Sequence, residues 1–426
     1  MSEKSSMKKK SLTSIVQHLY LTVNSYLQNN LITYASSCAF GFMFSLIPVV
    51  IMIVMILIRV LHISPETIIS LFDLTEVFID TKEITNLIAS IFSVKKFGLF
   101  EIFLIISILL MAQRFFFSVM AGFQKIFHTM AKPRKIKTNI FIIIGEIIIV
   151  LAISLIIFLL LTVRSLFQTD FISSMLDKFL NQIGQVAIQM LPSFLIFIIT
   201  SLTYHFASRT RPRISLCFFS GLLTTLCFMV VQNIFSNFLD ITRYNLIYGV
   251  FGTLMVYLLE VCIFFYLFFF FAQLIYTIQF FDYLLLCELY LLQGNHPASF
   301  NFFIRKLLFI QPNNFKTKSQ IIKKIPQGEF IYSDKEVANT VYYVINGSIK
   351  LIQKNTVSFV EKGEFFGETE CLLNIDRNAT TQALTEVTLL VLTKETFLEL
   401  LNTNSKVAQK AMTLTAINFP RMYGEG

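Results

Sequence analysis

Six long apolar segments constrain this chain of 426 residues more than any other feature. They stop near residue 285 and are Ser37 to Val60, Gly98 to Met120, Asn139 to Val163, Val186 to Phe206, Ile214 to Leu239 and Leu246 to Tyr276. About 20 apolar residues in a helix cross the roughly 30 Å of bilayer hydrocarbon. The pattern therefore predicts an α-helical polytopic membrane bundle of six transmembrane helices. Only 14% of the residues are charged, which argues against disorder and against an ordinary soluble enzyme.

The net charge of +9 predicts membrane topology, with no nucleic acid as partner. Lys and Arg collect in the N-terminal segment and in the loops after the second and fourth apolar segments. Because cytoplasmic loops carry this excess, we expect a multi-pass inner-membrane protein with both termini cytoplasmic. The predicted divisions are a cytoplasmic segment 1–30, a membrane domain 31–285, a linker with short helices 286–319, a soluble domain 320–418 and a tail 419–426.

Three ionisable residues, Arg114, Glu146 and Glu260, fall within the apolar segments. A charge costs several kcal/mol in hydrocarbon unless it faces a partner or a water-filled cavity, so all three are functional candidates. The alternative is that Arg114 and Glu146 lie near enough to an interface to snorkel or to pair structurally. Glu260 lies deepest in its segment and is the stronger candidate.

Several motifs of the apolar half resemble the YihY/BrkB family of six-helix inner-membrane proteins. The first apolar segment begins with an alanine-containing run that leads to Ser-Leu-x-Pro at Pro48. A Tyr-Asn-x-x-Tyr-Gly motif precedes the last segment, and its positions are Tyr244, Asn245, Tyr248, Gly249 and the following Gly252. The resemblance covers most of residues 15 to 280. It implies a role in envelope physiology, including transport of a lipid or a lipid-linked solute.

The same family has been labelled ribonuclease BN, a tRNA-processing enzyme, and the residues argue against that activity. A metal-dependent nuclease needs clustered His and Asp ligands on a water-exposed scaffold. The five histidines of this chain are scattered without ligand spacing. We therefore expect neither an enzyme nor a metal site nor a catalytic residue.

The last third of the chain predicts a small soluble β-roll, or jelly roll, with short flanking helices. From residue 320, short alternating runs are separated by turn residues at regular intervals. The run from Val341 to Ile352 predicts a hairpin, in which Asn346 and Gly347 supply the two positive-φ positions of a type I′ turn. Helices are predicted from Lys394 to about Leu401 and from Ser405 to Leu414.

Residues 363 to 380 resemble the phosphate-binding cassette of cyclic-nucleotide-binding domains. Phe-Gly-Glu is followed by a short helix and by Arg-x-Ala-Thr nine residues after the glutamate. The resemblance implies a regulatory ligand, cAMP or cGMP, with the binding residues Gly367, Glu368, Thr369, Arg377, Asn378 and Ala379. A helix that begins near Glu368 would aim backbone N–H groups at the phosphate. Arg377 suits a phosphate, and an ionised Glu368 accepts a hydrogen bond from the ribose hydroxyl.

Two departures from the cassette leave alternatives open. Asp376 stands where a proline is common, next to the proposed phosphate position, and Asn378 replaces a small residue. The favoured hypothesis is an inner-membrane protein regulated by a cyclic nucleotide. The alternative is a membrane scaffold whose ligand-free barrel recruits a cytosolic partner, and the third hypothesis is a nucleotide-gated channel. Besides the lipid bilayer and the nucleotide, a homo-oligomer is left open.

Overall fold

The computed structural model divides the chain into two compact units. One comprises Met1–Thr22 with Tyr276–Gly426, and the other comprises Val23–Ile275. The structure describes residues 2–59, 99–127, 178–208, 210–238, 250–293, 300–309, 321–353 and 356–423.

Long helices make up the described part of the apolar half. They are α1 (Ser2–Gln28), α2 (Leu31–Arg59), α3 (Leu99–Ile126), α4 (Lys178–Ala207), α5 (Ile214–Phe238) and α6 (Val250–Gln279). Helices α2 to α6 coincide with five of the six predicted segments. The remaining segment, Asn139 to Val163 with Glu146, lies outside the described residues, as do Tyr244, Asn245, Tyr248 and Gly249. Pro48 and Gly252 lie within α2 and α6.

Two of the described helices are long and apolar enough to cross a membrane. Ile214–Phe235 has a mean hydropathy of 2.2 over 22 residues, and Met255–Gln279 has 2.3 over 25 residues. Leu31–Ser45 and Pro192–Ala207 form shorter apolar helices. The apolar helical character predicted from the sequence is therefore confirmed, while the count of six spans stays a prediction.

Aromatic packing and a buried hydroxyl hold α3 to α6 together. The Tyr204 side chain on α4 is fully buried, and its hydroxyl donates to the carbonyl of Phe268 on α6 at 2.9 Å. The same hydroxyl lies 2.9 Å from Oγ1 of Thr224 on α5. Phe123 of α3 packs edge-on against Phe268, with ring centroids 5.8 Å apart. These contacts matter because a buried polar group without a partner costs several kcal/mol in an apolar setting.

The other unit holds two helices and then a two-layer β domain. The helices are α7 (Phe281–Leu292) and α8 (Phe300–Phe309). The strands are β1 (Ile321–Ile325), β2 (Phe330–Tyr332), β3 (Thr340–Asn346), β4 (Ile349–Gln353), β5 (Thr356–Val360), β6 (Phe365–Phe366), β7 (Thr380–Ala383) and β8 (Val387–Thr393). They form two antiparallel four-stranded sheets, in the orders β1-β8-β3-β6 and β2-β7-β4-β5. The predicted β domain is thus confirmed.

Three more helices belong to this domain. They are α9 (Glu368–Leu373), α10 (Lys394–Thr403) and α11 (Ser405–Tyr423). The last two begin where the sequence predicts them, and α11 continues nine residues past the predicted end at Leu414. Thr393 caps α10, since its hydroxyl accepts a hydrogen bond from the N–H of Thr396 at 3.3 Å.

The predicted hairpin at Asn346 and Gly347 is wrong. Strand β3 pairs with β6 and β8, whereas β4 pairs with β5 and β7, so the turn joins strands of different sheets. Of the two turn residues only Gly347 has a positive φ, at +94°. The physical reason is that a chain crossing between two layers does not have to match the twist of a paired neighbour, which is what favours two left-handed residues in succession.

Helix α7 packs into the core of the β domain. The ring of Tyr290 lies 5.1 Å from Phe365 and 5.8 Å from Phe397, measured between centroids. The Lys410 ammonium group on α11 donates to the carbonyls of Tyr290 at 2.9 Å and Leu291 at 3.1 Å, and also to that of Gln293. The last carbonyls of a helix have no partner within it, so Lys410 stabilises the end of α7.

Two glycines of the β domain give a matched test of this fold. Gly347 and Gly328 both have positive φ, at +94° and +85°. A Cβ atom on Gly347 would lie 2.6 Å from the carbonyl oxygen of Glu386, whereas one on Gly328 meets nothing within 4 Å. We expect Gly328→Ala to lower the free energy of unfolding by about 1–2 kcal/mol and Gly347→Ala by about 2–4 kcal/mol. Denaturant unfolding of the full chain measures both, and equal losses would contradict the crossover turn.

Candidate nucleotide-binding site

The cassette is a tight fold of backbone between β6 and β7. Phe365 and Phe366 are buried in β6, and Gly367 then takes a φ of +74° as the residue that caps α9. Helix α9 begins at Glu368, where the sequence predicts it, and ends at Asn374 in a left-handed conformation. The two left-handed residues reverse the chain, which brings Arg377 back to Gly367.

Arg377 is buried, with 3% of its surface exposed. Its Nη1 atom donates to the carbonyl of Gly367 at 2.8 Å. Its Nη2 atom donates to the carbonyl of Thr340 and lies 3.3 Å from the Thr340 hydroxyl. The guanidinium carbon lies 4.2 Å from the centroid of the Tyr332 ring and 5.9 Å from that of Tyr342, in cation–π contact. In this structure the arginine therefore faces backbone carbonyls and aromatic rings.

Glu370 is a second buried carboxylate beside Arg377, and the sequence analysis did not single it out. Its Oε2 atom lies 3.7 Å from Nη1 of Arg377. Burial raises the pKa of the Glu370 carboxyl, and the neighbouring guanidinium opposes that rise. The site thus contains its own anion, which partly balances the charge that would hold a phosphate.

Glu368 lies on the same cassette with a different environment. Its side chain is buried, and Oε2 has no hydrogen-bond partner among the described residues. Burial raises the pKa of Glu368 to about 7, and the Glu370 carboxylate adds to the rise while Arg377 opposes it. A buried oxygen without a partner is costly to the protein, and a hydroxyl group donated by a ligand would relieve that cost.

The remaining cassette residues surround these two side chains. Thr369 and Ala379 are buried, and both amide atoms of Asn378 are buried without a partner among the described residues. A Cβ atom on Gly367 would lie 2.5 Å from Nη1 of Arg377, so the close approach of the arginine requires glycine there. Asp376 is exposed, which keeps its charge in solvent.

The membrane candidates lie apart from the cassette in sequence. Arg114 is an exposed residue of α3, and Glu260 is a partly buried residue of α6. Among the described residues, there is no cluster of His, Cys, Asp and Glu that could hold a metal ion.

Sequence reasoning missed the groups that hold Arg377 in place. Thr340 contributes a backbone carbonyl, which every residue possesses, so its type carries no signal. Tyr332 lies on a strand whose aromatic residues predict core packing under any function. Glu370 did carry a signal, because an acidic residue two positions after Glu368 on a short helix falls close to the returning Arg377.

Two family models match the chain in separate regions. The model described as Virulence factor BrkB matches residues 22–281, and the one described as Cyclic nucleotide-binding domain matches residues 322–404. No curated protein matches the chain significantly.

Solved structures that are similar to the chain overlap with its C-terminal part. The catabolite activator protein of Thermus thermophilus is 25% identical, with 25% of this chain and 53% of that chain covered and a TM-score of 0.23. The cAMP-bound EAL enzyme Bd1971 is 26% identical, with coverages of 25% and 30% and a TM-score of 0.22. A structure described as Sp-2Cl-cAMPS bound to PKAR CBD2 is 22% identical, with coverages of 33% and 86% and a TM-score of 0.24. All three TM-scores are below 0.5, so the family models carry the assignment.

The BrkB model covers more than half of the chain, and its region contains the apolar helices described above. The second model covers the two-sheet domain and the whole cassette. The chain is therefore a member of the BrkB virulence factor family, a membrane protein that carries a cyclic nucleotide-binding domain at its C-terminal end.

Proposed function

We propose that this protein acts in the inner membrane on a lipid or lipid-linked solute, and that a cyclic mononucleotide bound at Glu368 and Arg377 regulates it. The observation that carries the proposal is the pairing of these two buried side chains of opposite type on either side of Gly367. Burying an arginine and an unpartnered carboxylate costs stability. A ligand with a phosphate and a ribose hydroxyl would use both groups.

The proposed ligand fits the donors and acceptors of the cassette. Its phosphate accepts hydrogen bonds from Arg377, whose fork of N–H donors now meets the carbonyls of Gly367 and Thr340. Its ribose 2′-hydroxyl donates to Oε2 of Glu368. We place Thr369, Asn378 and Ala379 around the same ligand, and the two free amide atoms of Asn378 supply one further donor and one acceptor.

Regulation requires a route from the cassette to the apolar helices, and α7 supplies it along the chain. Only Phe280 separates α6 from α7. Tyr290 of α7 packs on Phe365, two residues before Gly367, and Nε2 of Gln293 donates to the Phe365 carbonyl at 3.3 Å. A shift of the cassette therefore acts directly on α7. The nucleotide changes the balance of states only to the extent that it binds one of them better.

One observation favours the alternative, a ligand-free domain that recruits a cytosolic partner. Arg377 already has carbonyl, aromatic and carboxylate neighbours, so the cassette is closed without a nucleotide. Under this alternative, capture of the partner would survive both Arg377→Ala and Glu368→Ala. Under the favoured proposal these two variants remove the regulation.

Titration calorimetry on the full chain with cAMP and with cGMP tests nucleotide binding. We expect Arg377→Ala to weaken binding at least tenfold, because a charge-assisted contact to phosphate is lost. Glu370→Gln should strengthen binding several-fold, since it removes the anion that lies 3.7 Å from the guanidinium. Lys362→Ala removes an exposed positive charge from the same domain and should change little. Absence of heat with both nucleotides in the unmodified protein and in Glu370→Gln would contradict the proposal.

The raised pKa of Glu368 predicts a pH dependence of stability. Below about pH 4.5 the carboxyl is protonated in both states, and between pH 4.5 and 7 only the folded state keeps its proton. Stability therefore falls as the pH rises towards 7, by on the order of 3 kcal/mol from this group.

Scanning calorimetry between pH 5 and 8 measures this effect on the domain's unfolding transition. Glu368→Gln should flatten the decline and leave the smaller part that comes from Glu370, whose pKa is also raised. Glu386→Gln, at an exposed position, should keep the full decline. A Glu368→Gln profile identical to that of the unmodified protein would show that Glu368 is ionised in the folded state throughout.

Hydrogen exchange tests the route through α7. Saturating nucleotide should slow amide exchange in residues 283–293 of the full chain, because the cassette packs on Tyr290 through Phe365. The same nucleotide concentration should have no effect in Arg377→Ala. Protection confined to residues 363–380 would mean that the signal leaves the domain by another element.

A further inference from the structure

A cleft of about 430 Å³ opens between α2 and α3. It is lined by Ser36, Ser37, Phe40, Gly41, Arg114 and Ser118. Side chains four residues apart share a helix face, so Arg114 and Ser118 of α3 face the cleft together, as do Ser36 and Phe40 of α2. All six residues belong to the same compact unit. The volume is within the range of small-ligand sites.

A close helix contact forms the wall of this cleft. A Cβ atom on Gly41 would lie 3.4 Å from the Cα atom of Phe115, so glycine lets α2 approach the α3 backbone. The rings of Phe42 and Phe115 lie 5.8 Å apart, and both contact Phe265 of α6, at 6.1 and 5.7 Å. The aromatic cluster places Arg114, the neighbour of Phe115, beside a packed surface.

Arg114 is the strongest hydrogen-bond donor in the cleft. The Ser36 hydroxyl donates to the carbonyl of Ile32 at 3.0 Å and lies 3.0 Å from the hydroxyl of Tyr266. The Ser37 hydroxyl donates to the carbonyl of Thr33 at 2.9 Å. These two serines therefore spend their hydrogens on their own helix and leave a polar but uncharged wall. The guanidinium group offers five N–H donors and a permanent positive charge.

The surface around Arg114 is otherwise apolar. Phe40, Phe44 and Phe117 are 59%, 50% and 44% exposed, and these rings are on the same two helices. A cation among exposed rings in a bilayer is stabilised by an anion that reaches it from the lipid or the water side. The structure thus combines a cleft, a charge and an apolar rim.

The depth of Arg114 along its helix indicates the source of that anion. It precedes Met120, the cytoplasmic end of the second apolar segment, by six residues, or about 9 Å of helix. Ser37 begins the first apolar segment at the same side of the membrane. Arginine side chains reach from this depth to the headgroup level.

We propose that the cleft binds the phosphate group of an anionic lipid from the cytoplasmic leaflet. Arg114 contacts the phosphate, and Phe40 and Phe117 pack against the glycerol and acyl chains. The inference rests on the membrane role proposed above and is independent of the nucleotide. A free phosphate ion shares the charge but cannot use the apolar rim.

Native mass spectrometry of the full chain in detergent tests the site, with phosphatidylglycerol as the probe and no nucleotide present. We expect Arg114→Gln to lower the retained phosphatidylglycerol at least fivefold. Lys125→Gln, which removes one positive charge from the last turn of the same helix, should retain it. Diacylglycerol, which lacks the phosphate, should not be retained by any variant.

Two further arms separate the site from its alternatives. Ser118→Phe fills the cleft while keeping Arg114, so it should also release the lipid, and a circular dichroism spectrum checks that both variants are folded. Millimolar inorganic phosphate should not displace the lipid from the unmodified protein. Equal retention by Arg114→Gln and Lys125→Gln, or displacement by inorganic phosphate, would overturn the proposal. A failed nucleotide titration would leave it unaffected.

Discussion

The buried guanidinium group of Arg377 holds the C-terminal domain's cassette in its folded form. It joins the carbonyl of Gly367 to that of Thr340 on β3, and it stacks on Tyr332 of β2. Strands β2 and β3 belong to different sheets, so one side chain links both layers to the turn before α9. Removing a buried charged donor from such a network leaves several acceptors unsatisfied, which is why the cassette depends on it.

The same contacts explain why the candidate site is both ready for a ligand and closed without one. Glu370 supplies a negative charge at 3.7 Å, and the two carbonyls occupy the donors that a phosphate would use. A nucleotide therefore exchanges partners at Arg377 and adds a donor at Glu368. The cassette is also continuous with the packing of Phe365 on Tyr290, so that exchange is mechanically connected to α7.

An unusual cation recurs in the apolar unit and follows the same physical rule. Arg377 is surrounded by protein and finds carbonyls and a carboxylate, whereas Arg114 is exposed beside phenylalanine rings on α3. In both places the low dielectric of the surroundings makes an unbalanced charge costly. The difference is that the folded domain supplies the acceptors of Arg377, while the acceptor proposed for Arg114 comes from the membrane.

The sequence by itself determined the apolar helices, the two-part organisation, the start of α9 at Glu368 and the starts of α10 and α11. These features are local, because they follow from apolar run length, helix caps and turn residues within a few positions of one another. Only the tertiary structure decided that Gly347 crosses between sheets, that Tyr290 of α7 belongs to the β-domain core and that Glu370 faces Arg377. Each of these depends on which distant segments meet, and a backbone carbonyl such as that of Thr340 becomes part of a site only through its position in space.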